Sequence, residues 1–242
     1  MPARRADDPA TSSAELAARM AAAAERVTGE LDRLIPPVEG PCAPLVDAMR
    51  YSALSGGKRL RPFLVMESAS LFGVPPAQAL RVACAIEMVH CYSLIHDDLP
   101  AMDDSDTRRG RPAVHKTFGE AVAILAGDTL LTQAFEVLAA FETSRDAAVR
   151  VQLVSELARA SGMAGMAGGQ MIDISPARAG MVYGEIAGME AMKTGALIRF
   201  SCVAGAILAS APEGERKALE AYASDLGLAF QVADDLLDVT GS

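Results

Sequence analysis

The stretch HDDLPAMDDSDTRRGRP, residues 96–112, places five aspartates and three arginines in a chain otherwise rich in alanine and leucine. Two carboxylates about 4 Å apart repel by roughly 4 kcal/mol at the effective dielectric of a partly buried site. Asp97, Asp98, Asp103 and Asp104 therefore need compensation wherever they converge. Arg108, Arg109 and Arg111 could supply it locally, which makes a solvated, self-neutralising loop one reading of these residues. A second cluster weighs against a purely local explanation. FQVADDLLD, residues 230–238, carries Asp234, Asp235 and Asp238 among apolar neighbours, and no Lys or Arg follows Lys217. At about 100° per residue, Gln231, Asp234 and Asp238 share one face of a helix that otherwise seeks burial. Unpaired buried carboxylates are costly, so something cationic belongs beside them.

Oxygen donors without accompanying His or Cys clusters select hard cations, Mg²⁺ before Zn²⁺ or copper. Mg²⁺ usually takes one or two carboxylates and completes its octahedron with water and substrate phosphate oxygens, so two facing aspartate clusters point to a diphosphate held between metal ions. Cations for the other side of such a substrate occur in GGKRLRP (56–62), in RRGR (108–111) and in MKTGAL (192–197). Gly56 and Gly57 before Lys58 would let backbone amides approach an anion, although a helix entry with exposed cations explains the same letters. His90 lies seven residues before Asp97, about 20° away around a helix, and so faces the same side. A hydrogen-bonded core histidine is the blander account of it.

The elements that must position these residues are helices. Apolar residues recur at helical spacing in segment after segment, and alternating β-branched runs bounded by hairpin turns are missing. The periodicity predicts an all-α chain with helices over about 14–34, 43–55, 59–72, 76–97, 119–141, 146–160, 163–173, 181–191, 195–210 and 213–239. AIEMVHCYSLI (85–95) and LGLAFQVADDLLDV (226–239) are apolar almost all round and belong inside a bundle. Residues 1–13 are expected to be disordered by composition, leaving 14–242 as a single domain. With 22 Lys and Arg against 31 Asp and Glu, the net charge of -9 argues against nucleic acid or an anionic membrane surface as a partner. No signal-peptide pattern and no uncharged run near the ~18 residues of a membrane span stand out. The cysteines (Cys42, Cys84, Cys91, Cys202) lack CxxC pairing and suit a reducing compartment, so a cytoplasmic protein is expected.

The ordered set GGKRLRP, SLIHDDLPAMD with RRG, GGQMID, KTGALI and FQVADDLLD resembles the trans-isoprenyl diphosphate synthases, with the bacterial farnesyl diphosphate synthase branch the most similar. The resemblance runs from about residue 43 to the end. It implies the all-α prenyl synthase bundle around a central cavity, a homodimer, and head-to-tail condensation of isopentenyl diphosphate with dimethylallyl or geranyl diphosphate. It implies a trio of Mg²⁺ ions, with Mn²⁺ as a substitute, bound by Asp97, Asp103 and Asp234, with Asp98 in support and Asp235 and Asp238 acting through metal-bound water. Arg108, Lys193, Thr194 and Gln231 match positions that hold the allylic diphosphate; Lys58, Arg61, His90 and Arg109 match those that hold isopentenyl diphosphate. Asp97, Asp103, Arg108 and Lys193 would carry the catalysis, and the released diphosphate would take the proton. Asp104, Asp106 and Arg111 keep the solvated reading.

Product length turns on Tyr92 and Ser93. Tyr92 is five residues before Asp97, roughly 7.5 Å down a helix axis, and in the family a bulky aromatic at this level floors the cavity. Its combination with Ser93 resembles C15-producing enzymes, with a geranylgeranyl product as the alternative; a plain core tyrosine with a bonded hydroxyl accounts for the same residue. Asp97 and Asp103 would point about 120° apart on a regular helix, so Pro100 is expected to break it and leave an irregular turn at 98–103. Gln170 and Asp173 either support the substrate cations or satisfy buried backbone. Family members continue past the second aspartate motif, so the chain is expected to lack C-terminal helices and its last helix to lack packing partners. A non-catalytic subunit would have lost aspartates that are intact here. A terpene cyclase of the same fold would not need Lys58, Arg61 and Arg109.

Overall fold

The computed structural model describes the backbone of residues 9–240 and the side chains of residues 13–232 apart from Ala177. Eleven α-helices carry the described chain: α1 (Pro9–Leu34), α2 (Ala43–Ala53), α3 (Leu60–Leu71), α4 (Pro76–Asp97), α5 (Val114–Phe118), α6 (Glu120–Ala139), α7 (Ala147–Ser161), α8 (Met166–Asp173), α9 (Tyr183–Glu190), α10 (Ala196–Leu208) and α11 (Glu213–Thr240). The helical period thus holds along the chain, with three departures that bear on function.

The first is a small hairpin, β1 (Thr107–Arg108) with β2 (Arg111–Pro112), antiparallel and in register Thr107 to Pro112. Arg109 and Gly110 form its turn with φ of 53° and 74°, the two positive values of a type I′ connection. Two residues per strand are too few to show a period of two, so no strand was expected here. The second departure is a π-turn over Ala191–Gly195 that joins α9 to α10 without a break. The third is at the N-terminus, where Pro9–Ser13 belong to α1 rather than to a disordered arm; proline is tolerated in the first helical turn, whose N–H would be unpaired anyway.

α4 is the axis of the bundle. It packs against α3, α6 and α10, and Val82 through Val89 form an unbroken buried run. Together with Leu130, Leu153, Leu157 and Leu197 from surrounding helices, this run builds the main core. α10 is buried nearly throughout and lies against α3 and α7. The last helix does have partners: Ala223, Leu226 and Phe230 of α11 close over Leu64, Ile198 and Cys202. Cys84, Cys91 and Cys202 are free and buried, while Cys42 is free and exposed.

Two helical segments, Glu120–Ala139 and Tyr183–Leu208, are long and apolar enough to cross a membrane by length and composition, though neither is an uncharged run, since Asp128 interrupts the first and Lys193 and Arg199 the second. Packing explains the composition of the second, which supplies α10 to the core. α6 buries one side against α4 and leaves Ile124 and Leu125 exposed on the other.

Candidate active site

α4 ends at Asp97, and the chain then folds back on itself. The Asp103 amide donates to the Asp97 carbonyl (2.8 Å), Met102 and Asp104 amides both donate to the Leu99 carbonyl, and Asp104 takes a φ of 49°. This is the irregular turn expected around Pro100, and it returns Asp103 to Asp97. Burial raises the Asp97 carboxyl to about 6, helped by the like charges of Asp103 and Asp98 and opposed by Lys193 and Arg108. Gln170 steadies it, Nε2 donating to Oδ1 at 3.1 Å.

The hairpin assigns the neighbouring arginines to different places. Arg108, on β1, donates through Nε (3.0 Å) to the carboxylate of Asp98, which is 2% exposed. Asp98 therefore holds Arg108 rather than supporting the other aspartates. Arg109, at the turn, reaches back to donate to the Gly56 carbonyl and to Ser55 Oγ (3.3 Å). Its guanidinium lies on Gly57, where a Cβ would sit 2.9 Å from Cζ. The glycine pair thus seats an arginine in this structure, and Lys58 stands exposed beside it. Of the residues given a solvated role, Asp106 pairs with Lys116 at 2.7 Å, and Arg111 covers the Tyr51 ring at 4.0 Å.

On the opposite wall, Lys193 and Thr194 project from the π-turn, a local widening that in α-helices often coincides with functional groups. Lys193 Nζ donates to Asp173 Oδ2 at 2.5 Å, and Arg178 Nε lies 2.8 Å from Oδ1 of the same carboxylate. Asp173 therefore contacts two cationic side chains, Lys193 and Arg178. Gly169 lets α8 come this close to the π-turn, since a Cβ there would lie 2.4 Å from the Lys193 amide nitrogen.

These elements enclose a cavity of about 600 Å³ lined by Arg61, His90, Tyr92, Ser93, Asp97, Gln170, Lys193 and Thr194 with an apolar remainder drawn from Leu99, Ile124, Met166, Met171, Ile174 and Leu197. Met171 is exposed and forms part of this wall, as an unbranched thioether readily does. Arg61 has a buried Nε with no protein acceptor among the described residues. His90 is held well below its ordinary pKa, first by burial and then by the guanidinium groups of Arg61, Arg109, Arg59 and Arg108, so it is neutral near pH 7. Ser93 Oγ donates to the His90 carbonyl (2.9 Å). Tyr92 lines the cavity, and its hydroxyl has no hydrogen-bond partner among the described residues, unlike that of an ordinary core tyrosine.

Not every expected residue reaches this cavity. Lys58, Asp103, Arg108 and Arg109 lie outside its lining; Asp103 is joined to it through Asp97, while Arg108 bonds Asp98, which also lies outside it. Gln231 lines a separate cavity of about 580 Å³ that shares Thr194. The Asp234, Asp235 and Asp238 side chains fall outside the described residues. No three described His, Cys, Asp or Glu side chains converge as a ready metal cage. The donor set still fits Mg²⁺: Asp97 and Asp103 carry oxygen donors on a turn that folds one back toward the other, and this ion needs only one or two carboxylates alongside phosphate oxygens.

Sequence reasoning missed one pair that organises the site. Arg59 and Glu87 are both buried, their side chains 0% and 2% exposed. Arg59 donates to Glu87 Oε1 and, through its other terminal nitrogen, to the Ala53 carbonyl (2.6 Å). It adopts a left-handed φ of 47°. The pair ties the turn that carries Lys58 and Arg61 to α4 one helical turn before His90. A lone glutamate in the apolar run AIEMVH was the available signal.

The fold and its sequence have close counterparts. The polyprenyl synthetase family model matches residues 43–242. Farnesyl diphosphate synthases of Geobacillus stearothermophilus and Escherichia coli K12 are each 46% identical, over 90% and 92% of this chain and 73% and 75% of their own lengths. A putative geranylgeranyl pyrophosphate synthase 8, chloroplastic, of Arabidopsis thaliana is 45% identical over 90% of this chain and 62% of its own. Among solved structures, an FPP/GFPP synthase from Zymomonas mobilis superposes with a TM-score of 0.90 at 47% identity, covering 93% of this chain and 82% of that one. With a family model spanning most of the chain and relatives this similar over nine tenths of it, the chain belongs to the polyprenyl synthetase family.

Proposed function

We propose that this chain condenses isopentenyl diphosphate with dimethylallyl and then geranyl diphosphate to give farnesyl diphosphate, in a Mg²⁺-dependent reaction. The observation that carries the reading is that one cavity joins an anion-binding set, Arg61, His90, Lys193 and Thr194 with Asp97, to a largely apolar wall.

Mg²⁺ bound by Asp97 and Asp103, with Asp234 as a third ligand, would neutralise the diphosphate leaving group and stabilise the charge that develops as its C–O bond breaks. Lys193, presented by Asp173, and Thr194 lie on the π-turn where they meet the allylic diphosphate. Arg108, fixed by Asp98, adds positive charge beside the aspartates. Arg61, with its unsatisfied buried Nε, and neutral His90 receive isopentenyl diphosphate together with Lys58 and Arg109. Leu99, Met166, Ile174 and Leu197 keep water from the allylic cation. Tyr92 closes the cavity at the length of a C15 chain, with Ser93 beside it. Gln231 reaches the allylic diphosphate only if the wall at Thr194 opens, since the two line different cavities here.

The enzyme acts in the cytoplasm as a homodimer. The exposed apolar residues Ile124 and Leu125 on α6 support self-association, which sedimentation of the purified protein measures. The activity test is incubation with labelled isopentenyl diphosphate and dimethylallyl or geranyl diphosphate, with and without Mg²⁺, followed by sizing of the products. Mg²⁺-dependent C15 product is expected. No elongation with any allylic primer would overturn the synthase reading, and a C20 product would move the assignment to geranylgeranyl diphosphate. Tyr92→Ala should lengthen the product, and unchanged C15 output would remove Tyr92 from the floor.

A further inference from the structure

His96, the residue before Asp97, is fixed by a helix other than its own. Its Nε2 lies 3.1 Å from the Ile124 carbonyl of α6, so that nitrogen carries the proton, and 3.8 Å from Asp128 Oδ1. Its ring rests directly on Gly127, where a Cβ would stand 2.3 Å from Nε2 and 2.6 Å from Cδ2. Such separations do not occur between real atoms, so only glycine at 127 admits the ring in this position. Glycine inside a helix is the less stable choice, and Gly127 is buried in the middle of α6; the seat it makes for His96 accounts for its presence. The other face of the arrangement is Tyr92. The two residues are four apart on α4 and therefore neighbours on one face. Their rings meet edge to face, with centroids 5.6 Å apart at 85°. Both line the cavity, as does Ile124. Since the Tyr92 hydroxyl has no hydrogen-bond partner among the described residues, ring packing is what orients this side chain.

We propose that His96, seated on Gly127 of α6, is a positioning residue for product length: it props the Tyr92 ring across the cavity and so determines where chain growth stops. The inference rests on the reading of Tyr92 as the cavity floor, and it adds that the floor is held from α6 rather than by α4 alone. It predicts opposite effects from two substitutions. His96→Ala removes the prop, lets the tyrosine ring turn aside and lengthens the product. Gly127→Ala drives the imidazole away from α6, toward Tyr92, and shortens it.

Product sizing of parent, Tyr92→Ala, His96→Ala and Gly127→Ala proteins, with labelled isopentenyl diphosphate, geranyl or dimethylallyl diphosphate and Mg²⁺, tests this. The expected results are at least a tenfold rise in the C20 to C15 ratio for His96→Ala and at least a tenfold rise in the C10 to C15 ratio for Gly127→Ala from dimethylallyl diphosphate. A loss of stability alone lowers turnover without moving these ratios in opposite directions. Should His96→Ala fail to fold, His96→Gln, which keeps a donor for the Ile124 carbonyl but no ring, carries the same comparison. Lengthening by Tyr92→Ala with C15 unchanged in the His96 variant would overturn the prop and leave the floor standing. Unchanged C15 in both would overturn the floor and the prop with it.

Discussion

The buried pair Arg59–Glu87 makes a demanding prediction because both charges are cut off from water. Glu87→Gln keeps size and shape but leaves the Arg59 guanidinium without a counter-charge in a site where its side chain is 0% exposed. Removing one partner of a buried pair costs about 3–5 kcal/mol, because the other charge stays desolvated. The bond of Arg59 to the Ala53 carbonyl at 2.6 Å survives, as does its contact with the Cys91 thiol, while its Nε already lacks an acceptor among the described residues. That places the loss in the middle of the range, about 4 kcal/mol. For a domain of this size, each kcal/mol moves the melting temperature by roughly 2–4 °C, so Glu87→Gln should melt about 8–16 °C below the parent. Thermal unfolding followed by circular dichroism measures it, and urea titration at constant slope confirms that stability rather than compactness changed. The double substitution Arg59→Met with Glu87→Leu removes both charges and should recover most of the loss, since hydrophobic replacement of a buried pair is often neutral or stabilising. The same loosening frees the turn bearing Lys58 and Arg61, so Glu87→Gln should raise KM for isopentenyl diphosphate more than for the allylic substrate. A melting point within 2 °C of the parent would refute the pair as an anchor, as would a double variant no more stable than the single one.

Three further outcomes follow from the same geometry. His90 has its pKa depressed by burial and by surrounding guanidinium groups; its contribution to stability is present above the unfolded value near 6.5 and is lost as pH falls toward the folded value. Unfolding of the ligand-free protein between pH 7 and pH 5 should therefore show a steeper loss in the parent than in His90→Gln, and parallel curves would contradict the depressed pKa. Gly169→Ala puts a methyl 2.4 Å from the Lys193 amide nitrogen; forcing α8 from the π-turn should cost about 1–3 kcal/mol by overpacking and lower kcat, whereas parent-like melting and turnover would show that the contact is not needed. Asp173→Asn weakens the hold on Lys193 Nζ and should raise KM for the allylic diphosphate about tenfold, roughly 1.4 kcal/mol, with KM for isopentenyl diphosphate nearly unchanged; equal rises in both would deny Asp173 a selective role.

Long elements and their termini were legible because repeated apolar spacing and Pro or Gly punctuation report on many residues at once. α4 begins at Pro76 and ends at Asp97 as the spacing predicts, and the turn around Pro100 follows from the angular conflict between Asp97 and Asp103. Features defined by two to five residues escaped. The hairpin at 107–112 is too short to show a period, and α5 spans a single turn. The π-turn at 191–195 depends on how α8 and α11 press on it, through contacts that no local pattern encodes. Gln231 was placed by helical phase on the face of Asp234, yet phase says nothing about which cavity a face adjoins, and the structure puts it across Thr194 from Asp97.

Charge pairing was the hardest feature to assign from sequence, because it depends on distances across the fold. In HDDLPAMDDSDTRRGRP the acids and arginines were first candidates for mutual neutralisation, then for metal and diphosphate. The structure shows neutralisation at Asp98 by Arg108 and at Asp106 by Lys116, and the metal and diphosphate reading is the one proposed for Asp97 and Asp103. Asp98 is buried and bonded to Arg108, which supplies its counter-charge. Asp97 receives only Gln170 as a side-chain donor among the described residues, and burial raises its pKa to about 6. What separates the two neighbours is the hairpin: it directs Arg108 to one aspartate and carries Arg109 away to Gly57, leaving Asp97 and Asp103 without a direct arginine contact among the described residues. A loop built only to cancel its own charge would pair its most buried acids first. Asp97, half-buried and lining the cavity, has no bonded Lys or Arg among the described residues, which supports the proposal that it holds a cation supplied from outside the chain.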